Sequence, residues 1–251
     1  MQLFSSDEIA AGYAAARPVV HPVIVERAFQ HLGAEPRRDR ILDVGCGAGA
    51  STRAVGPWAH AIVGLDPEIR MIRNARAMGG AHQYTVGAAE AMPIGTHTVD
   101  GLTAAGALNF VDLGRFRVEA ARVLTADGVI VVYDFATGRR CADMPEVERR
   151  YDEFAQRWPR PIDGRHAIDA DVLAAAGFAV GFSEQVMVPI AMNADAYVDY
   201  LMTETNVTAA IRGGERATDV RHWCHDRFSP VFSEPRVIEF DAGYVIAKPT
   251  A

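Results

Sequence analysis

The chain contains only three cysteines, Cys46, Cys141 and Cys224, an odd number placed far apart. That spacing excludes a disulfide framework and fits a reducing, cytoplasmic compartment. Positive charge is not in excess either: 25 Lys and Arg face 32 Asp and Glu, a net charge of −7. A general nucleic-acid binder needs a basic footprint to displace counterions from phosphate, so nucleic acid is not an expected partner. No run approaches the ~18 consecutive apolar residues of a membrane span. The opening MQLFSSDEIAAGY has neither a basic n-region nor an apolar h-region, so neither membrane nor secretion is expected. Repeats and low-complexity tracts are also missing. His222-Trp-Cys224-His225 lacks the second ligand pair of a structural zinc site, and no metal is expected. What remains is 251 residues, 49% of them hydrophobic, enough for one large domain, as a monomer or homodimer.

Apolar runs alternate with helical patterns through the first half, the signature of β-α-β units and a parallel sheet. Strands are predicted at Arg40–Val44, His60–Asp66, Ala81–Val86, Val99–Ala104 and Val129–Phe135, the last continuous and β-branched. Helices are predicted from Ala50, from Pro67 to Gly79, and over Leu113–Leu124. Later strands follow at Phe178–Pro189 and Val237–Ala247. The expected architecture is α/β: a doubly wound, Rossmann-like, mostly parallel seven-stranded sheet with helices on both faces and a small helical lid. A single domain over residues 1–251 is expected to divide into amino-terminal helices (1–35), a cofactor-binding half (36–136), lid insertions (137–165 and 194–227) and carboxyl-terminal strands (166–193 and 228–251).

Asp43-Val-Gly45-Cys-Gly47-Ala-Gly49-Ala50 lies between a strand and a helix. Glycines serve where the backbone takes positive φ or where a ligand lies against it. The carboxyl end of the first strand is also the expected ligand edge of such a sheet. Gly45, Gly47 and Ala50 fit the loose dinucleotide pattern as well. Two acids bear on the choice. Asp43, at the strand tip, is expected to face the ligand edge, where it would repel a pyrophosphate and attract an ammonium and a sulfonium. Asp66, ending the second strand, is placed to accept both hydroxyls of an adenosyl ribose, as it also would for NAD.

Those residues resemble the class I S-adenosylmethionine-dependent methyltransferases. ILDVGCGAGAST (41–52) is similar to their first motif, GLDPEIRMI (64–72) to the ribose motif and GAAEAMPI (87–94) to the adenine-loop motif. Residues 107–135 are similar to the helix and strand that follow. Tyr13-Ala-Ala-Ala-Arg17-Pro18 is similar to the opening of small-molecule methyltransferases of the trans-aconitate and ubiquinone/menaquinone group. The resemblance implies S-adenosyl-L-methionine as cofactor. It also implies a binding set of Asp43, Gly45, Gly47, Gly49, Asp66, Pro67, Met71, Ala88, Ala89, Glu90, Ala105, Tyr13 and Arg17. In that set Arg17 pairs with the methionyl carboxylate, and Met92 packs on the adenine face beside Ala89.

The departures matter equally. Ala88 replaces an acid that would receive the adenine amine, and Asn109 stands where relatives carry the histidine of A-L-H-W. Methyl transfer from a sulfonium is an in-line displacement, so catalysis is expected mainly from positioning and water exclusion. Asn109 and His21 are the catalytic candidates; the bland reading of His21 is a histidine at the start of a surface helix. Asp134 reads equally as a cap or a substrate contact, and Cys46 as a loop filler. Trp158, Tyr197, Tyr200 and Trp223 read as core or lid packing, and Arg139, Arg140, Arg149 and Arg150 as a solvated face. The expected activity is methyl transfer to a small-molecule substrate. The alternatives are a non-catalytic S-adenosylmethionine-binding regulator and an NAD-linked oxidoreductase.

Overall fold

The computed structural model describes residues 18–33, 37–79, 82–160 and 168–250. Tyr13 and Arg17 therefore lie outside the described residues, as does most of the expected amino-terminal helical segment. In chain order the described elements are α1 (His21–His31), β1 (Arg38–Val44), α2 (Ala50–Val55), β2 (Ala59–Asp66), α3 (Ile69–Ala77), β3 (Gln83–Val86), β4 (Val99–Ala105), α4 (Leu113–Val123), β5 (Leu124–Phe135) and α5 (Glu146–Arg157). They continue with α6 (Ala170–Ala175), β6 (Phe178–Met192), α7 (Ala194–Leu201), α8 (Thr205–Arg212), α9 (Ala217–Phe228) and β7 (Arg236–Pro249).

The chain forms two compact units, the first comprising residues 21–135, 165–186 and 242–251. Its seven-stranded sheet has the order β3-β2-β1-β4-β5-β7-β6. Strands β1 to β5 pair in parallel, and β7 runs antiparallel to β5. The register aligns Asp43 with Gly64 and Thr103, and Gly64 with Tyr84, so these four share one face. That face is covered by α2, whose hydroxyls reach Asp43, and by α3, whose Ile72 and Ala75 pack with Tyr84 and Cys46. The opposite face carries Leu42, Val44, Leu102, Ala104, Ile130 and Val132 against Phe116, Ala120 and Val123 of α4. Helices on both faces bury the sheet twice over, which is why Val129–Tyr133 of β5 reads as an unbroken apolar run.

Several boundaries differ from the sequence reading. Strand β5 begins at Leu124, well before Val129, because Val99 pairs with Leu124 and the register then shifts to Gly101 against Val129. A bulge thus carries the strand through Asp127-Gly128, ahead of the expected start at Val129. Strand β6 continues past Pro189 to Met192.

The second unit comprises, among the described residues, 18–20, 136–160 and 187–241. Its helix α5 buries Val147, Tyr151 and Phe154. The Tyr197 ring packs edge-on to Phe228 and stacks on Phe232, and the Tyr197 hydroxyl donates to the Gly138 carbonyl over 2.9 Å. Trp158 meets Trp223 edge-on at 5.0 Å. Tyr197, Tyr200 and Trp158 are core residues of this unit. Arg139, Arg140 and Arg150 lie in surface ion pairs with Glu148, Asp241 and Glu146, the solvated reading of those arginines.

Candidate functional site

The glycine loop at the end of β1 is stitched to the end of β2. The Gly45 and Cys46 N–H groups both donate to the Leu65 carbonyl, over 2.7 and 3.0 Å. Gly45, Gly47 and Gly49 all have positive φ, a conformation that costs other residues about 1–2 kcal/mol. Gly47 goes further: a Cβ built there would meet no atom within 4 Å. Its face of the loop is an open cradle where a ligand can lie on bare backbone.

Asp66 closes this cradle. Its Oδ2 accepts the Gly47 N–H over 2.9 Å and its Oδ1 accepts the Glu68 N–H over 2.8 Å. Burial pushes the carboxyl above the ordinary aspartate value, with the two amide bonds working against that rise. A carboxylate has about four acceptor positions, so two remain for a pair of vicinal hydroxyls. Pro67 follows, exposed, and Met71 is buried one turn into α3. Gly45, Gly47, Gly49, Asp66 and Ala105 are thus brought to the carboxyl ends of neighbouring strands β1, β2 and β4.

Asp43 does not play the part expected of it. Its carboxylate is fully buried rather than turned to the ligand edge. Oδ2 accepts the Ser51 and Thr52 hydroxyls, both at 2.6 Å, and Oδ1 accepts the Thr103 hydroxyl at 2.8 Å. Desolvation raises its pKa, and the three hydroxyl bonds only partly oppose that. The group ties β1 to β4 and α2, so attraction of a cationic ligand by a bare Asp43 is corrected. Discrimination against a dinucleotide cannot rest on that charge.

The adenine-loop residues are fixed by a clamp that the sequence reading missed. Glu119 of α4 accepts the Met92 N–H at 2.6 Å and pairs with Arg122 at 2.7 Å. Arg122 donates in turn to the Ile94 and Met92 carbonyls, at 2.7 and 2.9 Å. Ala88 bridges Ala91, Ala89 is buried, and the Glu90 carboxylate accepts the Asp112 N–H at 3.1 Å. Met92 is buried in the core with Leu65 and Phe116, so its packing on a ligand ring is also corrected. The only signal for the clamp was the Glu119/Arg122 spacing of three on a helix face that read as merely basic.

The Cys46 thiol is buried, and desolvation together with Asp43 and Asp66 pushes it far above its usual range, as befits a filler rather than a nucleophile. His21 opens α1, and its Nδ1 lies 3.0 Å from the buried Tyr133 hydroxyl. The same ring sits edge-on to Tyr133 and Phe135. Asn109, in a short 3₁₀ turn after β4, donates to Asp134. Both catalytic candidates thus lie beside the end of β5. Two surface hollows, of about 510 and 380 Å³, lie elsewhere: along α1, β6 and β7, and at the amino ends of β1, β2 and β4. Among the described residues no cluster of His, Cys, Asp and Glu could hold a metal ion. No described helix is long and apolar enough to cross a membrane.

Comparison with known proteins agrees with this geometry. Residues 42–132 match the family model described as a methyltransferase domain. A demethylmenaquinone methyltransferase of Tropheryma whipplei is 34% identical over 41% of this chain and 44% of its own length. The uncharacterized methyltransferase YcgJ of Bacillus subtilis is 30% identical over 53% of this chain and 52% of its own. The chain thus spans about half the length of these two relatives. Among solved structures, a protein of Anaeromyxobacter dehalogenans provisionally called a type II methyltransferase superposes with a TM-score of 0.72. It is 23% identical, covering 94% of this chain and 98% of the other. That likeness shows the fold.

Proposed function

We propose that this chain, whose residues 42–132 match a methyltransferase-domain model, is an S-adenosylmethionine-dependent enzyme that transfers methyl groups to a small-molecule acceptor. The observation that carries the reading is the open Gly47 cradle closed by Asp66, whose two oxygens each keep acceptor capacity after binding one amide. S-adenosyl-L-methionine, when bound, supplies an electrophilic methyl on a sulfonium. Asp66 would receive its ribose hydroxyls, Gly45, Gly47 and Gly49 would lie against it, and Ala88 and Ala89 would flank the adenine. Pro67, Met71, Glu90 and Ala105 complete the proposed set on the described side, with Tyr13 and Arg17 assigned from the sequence resemblance alone.

The chain's own contribution is orientation. The loop is fixed by the Leu65 carbonyl, and the adenine loop by Glu119 and Arg122. Preorganisation of this kind lowers the entropy cost of an in-line displacement. Residues 137–165 and 194–227 are the proposed source of the lid that excludes water.

Calorimetry tests the reading. S-adenosylmethionine and its demethylated product are expected to titrate one site per chain, with Asp66→Ala weakening both. Absence of heat with either ligand sinks it, and tight binding of NADH in its place would favour an oxidoreductase.

A further inference from the structure

The Asp134 carboxylate, at the carboxyl end of β5, is held from two sides. Its Oδ2 accepts the Asn109 Nδ2–H over 2.9 Å, and its Oδ1 accepts the Phe135 backbone N–H over 2.8 Å. The adjoining residue after β4 is Gly106, at φ +59°, and a Cβ there would lie 2.9 Å from Asp134 Oδ1. Glycine at this point is what lets the carboxylate lie against the end of β4. The Asp134 side chain is half-buried, and no ion pair joins it among the described residues.

An anion oriented by two N–H groups and left without a counter-cation keeps lone pairs for ligand protons. Its place is the same strand-end edge as the glycine loop and Asp66. We infer that Asp134, positioned by Asn109, takes the proton of the methyl acceptor, and that the acceptor is a hydroxyl or amine compound rather than a carboxylate. The inference rests on the methyl-transfer reading above.

A lone pair on the acceptor oxygen or nitrogen forms the new bond to the methyl carbon. The methyl–sulfur bond breaks with its electron pair passing to sulfur, which leaves as a neutral thioether. The acceptor proton passes to Asp134, which returns it to solvent. An acceptor carboxylate has no proton to give and would meet Asp134 as like charge. Asn109 touches the base and not the acceptor, so it is a positioning residue.

Two measurements test this. First, Asn109→Ala is expected to lower kcat about 10-fold with the acceptor KM unchanged, because the donor that orients Asp134 is lost, and Asn109→Gln, which keeps an amide donor, is expected to recover part of that rate. An unchanged kcat, or a loss confined to KM, overturns the positioning role.

Second, the chain is assayed with methyl-labelled S-adenosylmethionine against a panel of small alcohols, phenols, amines and carboxylic acids. Product is expected only with hydroxyl or amine members. Asp134→Asn should lower that rate about 100-fold or more, while binding heat with S-adenosylmethionine stays unchanged. Methyl esters as the main product, an Asp134→Asn variant at full rate, or binding heat without turnover of any hydroxyl or amine each overturn the inference alone. Absence of binding heat sinks the methyl-transfer reading and this one with it.

Discussion

Gly47 donates its backbone N–H to Asp66 Oδ2 across 2.9 Å, joining the loop after β1 to the acid that ends β2. The bond fixes the cradle's floor and its wall relative to each other. It also fixes the direction of the carboxylate, because the other oxygen is held by Glu68.

Asp66→Asn should therefore weaken the cofactor on two counts. An amide nitrogen turned to either Gly47 or Glu68 opposes donor to donor, and the charge that strengthens bonds to the ribose hydroxyls is gone. Charge-assisted bonds are worth about 1.5–3 kcal/mol each, so affinity for S-adenosylhomocysteine is expected to fall roughly 10- to 100-fold. Calorimetry measures it; an unchanged dissociation constant refutes the assignment of Asp66.

Gly47→Ala separates binding from stability. The protein itself has room for the methyl, with no atom within 4 Å, so only the positive φ is penalised, by about 1–2 kcal/mol. Urea unfolding should show a loss of that size. Cofactor affinity should fall further than stability does, because the methyl occupies the space assigned to the ligand. Equal losses in both would mean that the cradle faces only solvent.

The clamp on the adenine loop gives a third test. Glu119→Gln removes the charge that Arg122 pairs with, while keeping one acceptor for the Met92 N–H. The Arg122 side-chain bond is the main cause holding the Glu119 carboxyl below its usual value. Its stabilisation is therefore full above that usual value and is lost as pH falls through the depressed one. Loss of about 1 kcal/mol at neutral pH is expected, with the wild type and the variant converging in acid. Hydrogen exchange at Met92 and Ile94 should quicken in the variant; unaltered exchange would remove Glu119 from the clamp.

Why the strand positions and the glycine loop were legible in the sequence is a matter of locality. The β-branched run before Phe135 and the Gly45–Gly49 spacing each declare themselves within a few residues. The Asp43 role was not legible, because its three hydroxyl partners include Thr103, sixty positions away and aligned only by the β1–β4 register. The Gly106–Asp134 approach was hidden for the same reason: neither residue signals that the ends of β4 and β5 bring them together. Met92 misled because its neighbours in the motif mark a ligand loop, whereas its own side chain is buried in the hydrophobic core.

Asp43 supplies the last test, through pH. Folding buries the carboxyl, and desolvation outweighs the Ser51, Thr52 and Thr103 bonds, so the folded chain holds this proton more tightly than the unfolded one. The sign follows: the group's contribution to stability is full below the ordinary aspartate value of ~3.9 and is lost as pH rises through the raised one. An Asp43→Asn variant carries no such proton. Its stability relative to wild type should therefore improve as pH rises from 4 until the raised value is passed, whatever constant penalty the altered hydroxyl bonds impose. The Asp43 charge is also one of the causes that raise Asp66, so its removal relaxes Asp66 and adds to the difference in the same direction. Thermal melts across that range measure the trend. A difference that is flat, or that runs the other way, would mean that the hydroxyls win over burial and that Asp43 is held as a stabilised anion.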